Sequence, residues 1–137
     1  MNYIKRDIQK EIDKFLLDDD IIIITGMRQS GKTSLLRYYF NKFKTKYQSY
    51  FYNLEDFDYL NLFNESPKNL LTLVNINKKN KIFVFIDEIQ YLDNPTNFLK
   101  YLYDEYKDQI KFFVSGSSAF YMDKKFKDSL AGRKKIY

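Results

Sequence analysis

Histidine and cysteine are both absent from the 137 residues. Without cysteine there are no disulfides, no zinc-thiolate site and no thiol nucleophile. Without histidine there is no Ser-His-Asp catalysis, no imidazole base and no imidazole metal ligand. Any catalysis has to run on carboxylates, lysine, arginine, hydroxyls and backbone amides. Glycine is scarce at four residues, and proline at two. Long apolar runs are missing as well. The longest purely aliphatic stretch is Ile21–Ile24, a strand's worth and far short of a bilayer span. Residues 1–7 lack the apolar core of a signal peptide, so the expectation is a cytoplasmic protein with no membrane span.

What is present fits a globular domain. The hydrophobic fraction is 45% and the charged fraction 30%, in 16.7 kDa. The formal net charge is +5, which favours an anionic partner without choosing one. Only Arg6, Arg28, Arg37 and Arg133 are arginine. The lysines are dispersed among aspartates, so a solvated lysine-rich surface is favoured over a nucleic-acid face. No internal repeat, low-complexity tract or linker breaks the chain, which reads as one domain over residues 1–137.

Ile4, Ile8, Ile12, Phe15 and Leu16 recur at helical spacing and predict a helix over residues 3–17, stopped by Asp18, Asp19 and Asp20. The four isoleucines 21–24 predict a strand buried on both faces. Leu35, Leu36, Tyr39, Phe40 and Phe43 predict a helix over 32–44. Tyr50–Tyr52 reads as a second strand. A helix opens at Ser66-Pro67, with Leu70, Leu71 and Val74 turned inward. Lys81–Ile86 reads as a third strand. Asn94-Pro95 opens a helix that buries Phe98, Leu102 and Tyr106, and Ile110–Val114 reads as a fourth strand. This alternation predicts an α/β protein, a parallel sheet covered by helices on both faces.

Two motifs carry chemistry. Gly26-Met27-Arg28-Gln29-Ser30-Gly31-Lys32-Thr33, followed by Ser34, fits the P-loop (Walker A) pattern between an apolar strand and an amphipathic helix. Such a loop turns its N–H groups into an anion nest at a helix N-terminus. Lys32 is expected to reach the β- and γ-phosphates, and Thr33 to place its hydroxyl on Mg²⁺. The third strand ends in Asp87-Glu88, the Walker B arrangement. Asp87 is expected to hold Mg²⁺, directly or through a water, and Glu88 to polarise the attacking water. At the fourth strand's exit lie Ser115, Ser117 and Ser118. Ser117 is the expected contact to the γ-phosphate or its water, with Ser115 next. Asn53, Glu55 and Asp56 point to the same edge but read as solvated loop residues.

Residues 26–36, Phe85-Ile86-Asp87-Glu88-Ile89-Gln90, Ser115-Gly116-Ser117-Ser118-Ala119 and Ser129-Leu130-Ala131-Gly132-Arg133 occur in order. Together they resemble the AAA-type ATPases of bacteria and archaea that carry an uncharacterised C-terminal domain. The resemblance implies a P-loop core with strand order 5-1-4-3-2, ATP and Mg²⁺ as ligands, and ATP hydrolysis. It implies that Arg133 completes the site of its own chain or of a neighbouring copy, as an arginine finger. It also implies a longer architecture, of which 1–137 is the N-terminal ATPase core with strand five largely missing and the P-loop strand at a nearly open edge. The competing readings are a GTPase, a small-molecule kinase and a nucleotide-binding interaction fragment without turnover. Asn77-Lys78-Lys79-Asn80 lacks the aspartate that guanine recognition needs, and no arginine-bearing lid is evident.

Overall fold

The computed structural model describes residues 3–25, 29–77, 79–117 and 131–137, with backbone alone for 3–6 and 29–30. The elements in chain order are α1 (Tyr3–Asp13), β1 (Ile21–Ile24), α2 (Gln29–Phe43), β2 (Ser49–Asn53), α3 (Phe57–Glu65) and α4 (Lys68–Leu71). They continue with β3 (Ile82–Asp87), a 3₁₀ turn (Ile89–Tyr91), α5 (Pro95–Tyr106), β4 (Ile110–Ser115) and β5 (Lys134–Ile136). The five strands form one parallel sheet in the order β2-β3-β4-β1-β5. This is the expected 5-1-4-3-2 arrangement.

Alternation along the strands builds the layers, because successive side chains point to opposite faces. Ile22 and Ile24 join Phe83, Phe85 and Phe113 on one face, under Ile12 of α1 and Leu35, Leu36, Tyr39 and Phe43 of α2. Ile21 and Ile23 join Ile82, Val84, Ile86, Phe112 and Val114 on the other, under Phe63, Leu70, Phe98, Leu99 and Leu102. The first face is an aromatic stack. Phe43 lies parallel to Phe83 with centroids 4.6 Å apart, and Phe85 on Phe113 at 4.9 Å. Offset stacking of this kind adds roughly 0.5–1.5 kcal/mol per pair beyond burial. Most of the phenylalanine content is therefore accounted for by packing.

Three boundaries differ from the expectation. First, α1 ends at Asp13 rather than residue 17. The chain tightens through i→i−3 bonds from Lys14 and Phe15, and the Phe15 carbonyl accepts a hydrogen bond from Lys111 at 3.1 Å instead of continuing the helix. Second, α3 was not predicted. Asp56 accepts from the Asp58 N–H as its N-cap, so this expected loop acid starts a helix that buries Phe63. Ser66-Pro67 consequently separates α3 from the single turn of α4, where Leu70 is buried. Third, β1 has a neighbour on its outer side. Ile21, Ile22 and Ile23 pair with Lys134, Lys135 and Ile136, and all four isoleucines are fully buried.

The Asp18–Asp20 run does more than stop α1. Lys111 is wholly buried, and its ammonium donates to Asp18 at 2.7 Å and to the carbonyls of Phe15 and Asp20. Lys135 donates to Asp18 at 2.7 Å and pairs with Asp20, and Lys81 pairs with Asp19. Three lysines from the loop before β3, from β4 and from β5 thus hold the α1–β1 connection to the amino edge of the sheet. Burial lowers the Lys111 pKa against the pull of Asp18. For Asp18, burial would raise the pKa, but the hydrogen bonds and charges of Lys111 and Lys135 outweigh it and hold the carboxyl below its ordinary range.

Candidate functional site

The carboxyl ends of parallel strands form the edge at which ligands bind in open α/β sheets. β3 delivers Asp87 and Glu88 there, β4 delivers Ser115, Gly116 and Ser117, and β1 leads through Thr25 toward α2. Asp87 and Glu88 are 2% and 3% exposed, and Ser115 is fully buried. Buried carboxylates need donors, and those of Asp87 come from two elements. Thr33 on α2 donates its hydroxyl to Asp87 Oδ2 at 2.9 Å. Ser115 on β4 donates to Asp87 Oδ1. The same Ser115 oxygen accepts the Glu88 N–H at 3.0 Å.

Lys32 is 6% exposed, and its ammonium donates to the Gly116 carbonyl at 2.9 Å. An ammonium resting on one neutral carbonyl keeps two further protons for other acceptors. Lys32 and Thr33 leave the same turn of α2, and the first meets the exit of β4 while the second meets the exit of β3. Thr33 thus meets the Asp-Glu pair directly, through Asp87, while Lys32 sits on the neighbouring Gly116 carbonyl.

Glu88 adopts a left-handed backbone, φ 63° and ψ 51°, a region that costs an L-residue other than glycine on the order of 1–3 kcal/mol. The bend swings the chain from β3 into the 3₁₀ turn and brings Gln90 back over the glutamate. Gln90 Nε2 donates to Glu88 Oε2, while Gln90 Oε1 accepts the Ser117 N–H at 3.2 Å. The other carboxylate oxygen, Glu88 Oε1, is buried with no hydrogen-bond partner among the described residues.

The donor set suits a small hard cation. Thr33 Oγ1 and Asp87 Oδ2 are oxygen ligands already in contact, and Mg²⁺ commonly takes only one or two protein oxygens, filling its octahedron with water and phosphate. Thr33 and Asp87 are the residues that would hold it.

Other expected site residues fall differently. Gly26, Met27 and Arg28 lie outside the described residues, as do Ser118 and the Ser129-Leu130 part of the last motif. Gln29 and Ser30 open α2, followed by Gly31; Ser34 is exposed. Ser117 contributes its backbone N–H to Gln90, whereas Ser115 is the serine whose hydroxyl touches the Asp87 carboxylate and the Glu88 N–H. The end of the ladder explains the exchange: Ser115 is the last paired residue of β4, level with Ile24 of β1, and Ser117 lies beyond it. Asn53 accepts the Glu55 N–H within its own turn.

Arg133 is not brought to the site. Its carbonyl accepts the Ile21 N–H at 2.8 Å, which places it at the amino edge of the sheet. The four residues of β1, roughly 13 Å of strand, separate that edge from the one bearing Lys32. Its guanidinium pairs with Asp104 on α5, Nε to Oδ1 at 2.7 Å and Nη2 to Oδ2 at 3.4 Å. The role of an arginine finger acting within its own chain is corrected accordingly. Gln90 is the residue the sequence reading missed, although it stands in the quoted Asp-Glu-Ile-Gln segment.

The sequence family described as the AAA domain matches residues 18–137. An uncharacterised protein of Methanocaldococcus jannaschii, MJ1544, is 33% identical over 127 residues, covering 92% of this chain and 27% of its own length. The chain therefore spans about a quarter of that relative. Among solved structures, C. elegans PCH-2 superposes with a TM-score of 0.66 at 19% identity, over 98% of this chain and 42% of PCH-2. Drosophila ORC bound to AT-rich DNA and Cdc6 gives a TM-score of 0.59 at 11% identity, over 97% of this chain and 53% of the matched one. Likeness at these identities is one of fold. Among the described residues no helix is long and apolar enough to cross a membrane.

Proposed function

Because the chain belongs to the AAA domain family, we propose that it binds ATP with Mg²⁺ and hydrolyses it to ADP and phosphate. The observation that carries this reading is the contact of Thr33 with Asp87 beside Glu88, whose buried Oε1 has no hydrogen-bond partner among the described residues. Gly26–Thr33, with Ser34, form the Walker A loop around the phosphates. Lys32 leaves the Gly116 carbonyl for the β- and γ-phosphates. Thr33 and Asp87, the Walker B aspartate, hold Mg²⁺, which when bound offsets phosphate charge and orients the terminal phosphoryl group. Glu88 accepts a proton from the attacking water. Ser115 fixes Asp87 and the Glu88 backbone. The ATP-binding domain takes in residues 1–137.

A neighbouring copy could complete the site with Arg133 only after breaking the Asp104 pair. Specific activity that rises with protein concentration is the measurement that reads such a contribution.

Calorimetry with Mg-ATP and Mg-GTP, beside a phosphate-release assay, tests the reading. Binding should favour ATP, and Lys32→Ala should abolish it because the phosphates lose the ammonium that faces them. Glu88→Gln should retain Mg-ATP and lose roughly 10²-fold or more of turnover, since a positioned base supplies about that much. ATP affinity unchanged in Lys32→Ala would overturn the nucleotide site. Binding without phosphate release in the unmodified chain would move the assignment to an interaction module.

A further inference from the structure

We propose that Gln90 is a positioning residue for Glu88, holding one oxygen of its carboxylate so that the other is the one presented to water. The proposal rests on the ATPase reading above. It starts from a problem of chain freedom. A glutamate has three rotatable side-chain bonds, and an unheld carboxylate aims at many points. A general base must be placed to within a fraction of an ångström. The two carboxylates of the site are treated differently in this respect. Asp87 has a hydroxyl on each oxygen, from Ser115 and Thr33. Among the described residues Glu88 has one side-chain donor, Gln90, on Oε2, and Oε1 is left buried without a partner.

The amide of Gln90 can act in one orientation only. A carboxylate cannot donate and a backbone N–H cannot accept. The nitrogen must therefore face Glu88 and the oxygen must face Ser117, as observed. A reversed amide would set oxygen against oxygen and nitrogen against N–H. The bridge thus ties the carboxylate to the main chain where β4 ends, a segment fixed on its other side by the bond from the Gly116 N–H to the Ile24 carbonyl at 3.3 Å. The left-handed turn at Glu88 is what makes the reach work, since it folds the chain back so that residues two apart meet. The backbone strain there thereby acquires a use.

Neighbouring chemistries fail on simple grounds. Asparagine is one methylene shorter and cannot span from Glu88 to the Ser117 N–H. Glutamate at position 90 would place a second negative charge on the first and would offer no donor.

The test uses the full 137-residue chain in two arms. In the first, Mg-ATP affinity and turnover are measured for Gln90→Ala, Glu88→Gln and the double variant. Gln90→Ala should lose roughly 10-fold to 100-fold of kcat, the usual cost of removing a residue that orients a catalytic ligand, with KM and ATP affinity within about twofold of the unmodified chain. In the Glu88→Gln background the same change should cost nothing further, because Gln90 acts only through the carboxylate. An equal loss in both backgrounds, or no loss with Glu88→Gln itself impaired, would overturn the positioning role while leaving the ATPase reading standing. A chain that binds no Mg-ATP, or a Glu88→Gln variant with full turnover, would instead overturn that reading. The second arm needs no turnover. In ¹⁵N spectra, Glu88→Ala should move the Gln90 side-chain amide, and Gln90→Ala should move the Ser117 backbone amide. Resonances that stay in place would show that no bridge exists and would overturn the proposal.

Discussion

A serine that touches two acidic residues at once is more exposed to mutation than its size suggests. Ser115 gives its proton to Asp87 and its lone pair to the Glu88 N–H, so Ser115→Ala leaves a donor and a carboxylate oxygen buried with nothing to meet. Each orphaned group costs on the order of 1–3 kcal/mol. Ser115→Ala should therefore lower the unfolding midpoint and, under the proposed reading, weaken Mg²⁺-dependent nucleotide binding. Ser117→Ala keeps the N–H that Gln90 accepts from, and should change either quantity far less. Thermal unfolding and calorimetry on the two variants decide which serine matters; equal effects would overturn the assignment to Ser115. The site's residue types were legible in the sequence, because Gly-Lys-Thr after an apolar strand and Asp-Glu at the end of another have few structural reasons to coexist. The choice between two serines was not, because it depends on which position is the last in a ladder. Gln90 was hidden for a similar reason: its reach follows from the positive φ at Glu88, which local propensity does not announce. Arg133 could have been placed by topology alone. In an all-parallel sheet, the residue immediately before a strand lies at the amino edge, away from the P-loop.

Elements are joined at that amino edge by charge. The link between α1 and β1 reaches β4 through Lys111 and β5 through Lys135, both on Asp18. Its acid response follows from the sign of the Asp18 shift. The carboxyl titrates lower in the folded chain than in the unfolded one, so the stability it contributes is complete above the ordinary value of about 3.9 and is lost as pH falls through the folded value. Asp18→Asn should be less stable than the unmodified chain at pH 7, and the gap should close below about pH 4. The gap will be modest, because the Asp18 side chain is 35% exposed and its ion pairs are partly screened. Denaturant midpoints at pH 7 and pH 3 check this; a gap that does not shrink in acid would show that Asp18 acts by packing instead. Strands β1 to β4 and helices α1, α2, α4 and α5 were readable in the sequence, since runs such as Ile21–Ile24, Ile82–Ile86 and Phe112–Val114 have no polar alternative. The lysine anchors were not, because the pairs join residues 62 to 117 positions apart. Helix α3 escaped because it is only nine residues long and fully buries Phe63 alone, so its apolar period is short, and its clear signal was the capping Asp56.

For the molecule as a whole, the stability of the sheet turns on its shortest strand. β1 carries four isoleucines and no charge, the composition that makes an unpaired edge aggregate. Its outer side is covered by a strand of three residues and the two that flank it. Ile21 donates to the Arg133 carbonyl, Tyr137 donates to the Ile23 carbonyl at 2.7 Å, and Thr25 donates to the Tyr137 carbonyl at 2.7 Å. The edge then passes to β5, which begins with two lysines, and lysine on an edge strand discourages further pairing. Lys135 is drawn inward to Asp18 and Asp20, so β5 is held by side chains as well as by its ladder. Deleting residues 132–137 should therefore do more than trim an end. It should expose the main chain of β1 along its length, release Lys135 from its two aspartates and leave an apolar strand open to a second copy. Light scattering at matched concentrations should find larger species in the shortened chain than in the unmodified one, with a lower unfolding midpoint. The charge reversal Lys135→Glu offers a gentler version. It keeps the ladder but sets a third carboxylate beside Asp18 and Asp20, so it should lower the midpoint without promoting association. Association in that variant comparable to the deletion would show that the salt bridges rather than the main-chain bonds keep β1 covered.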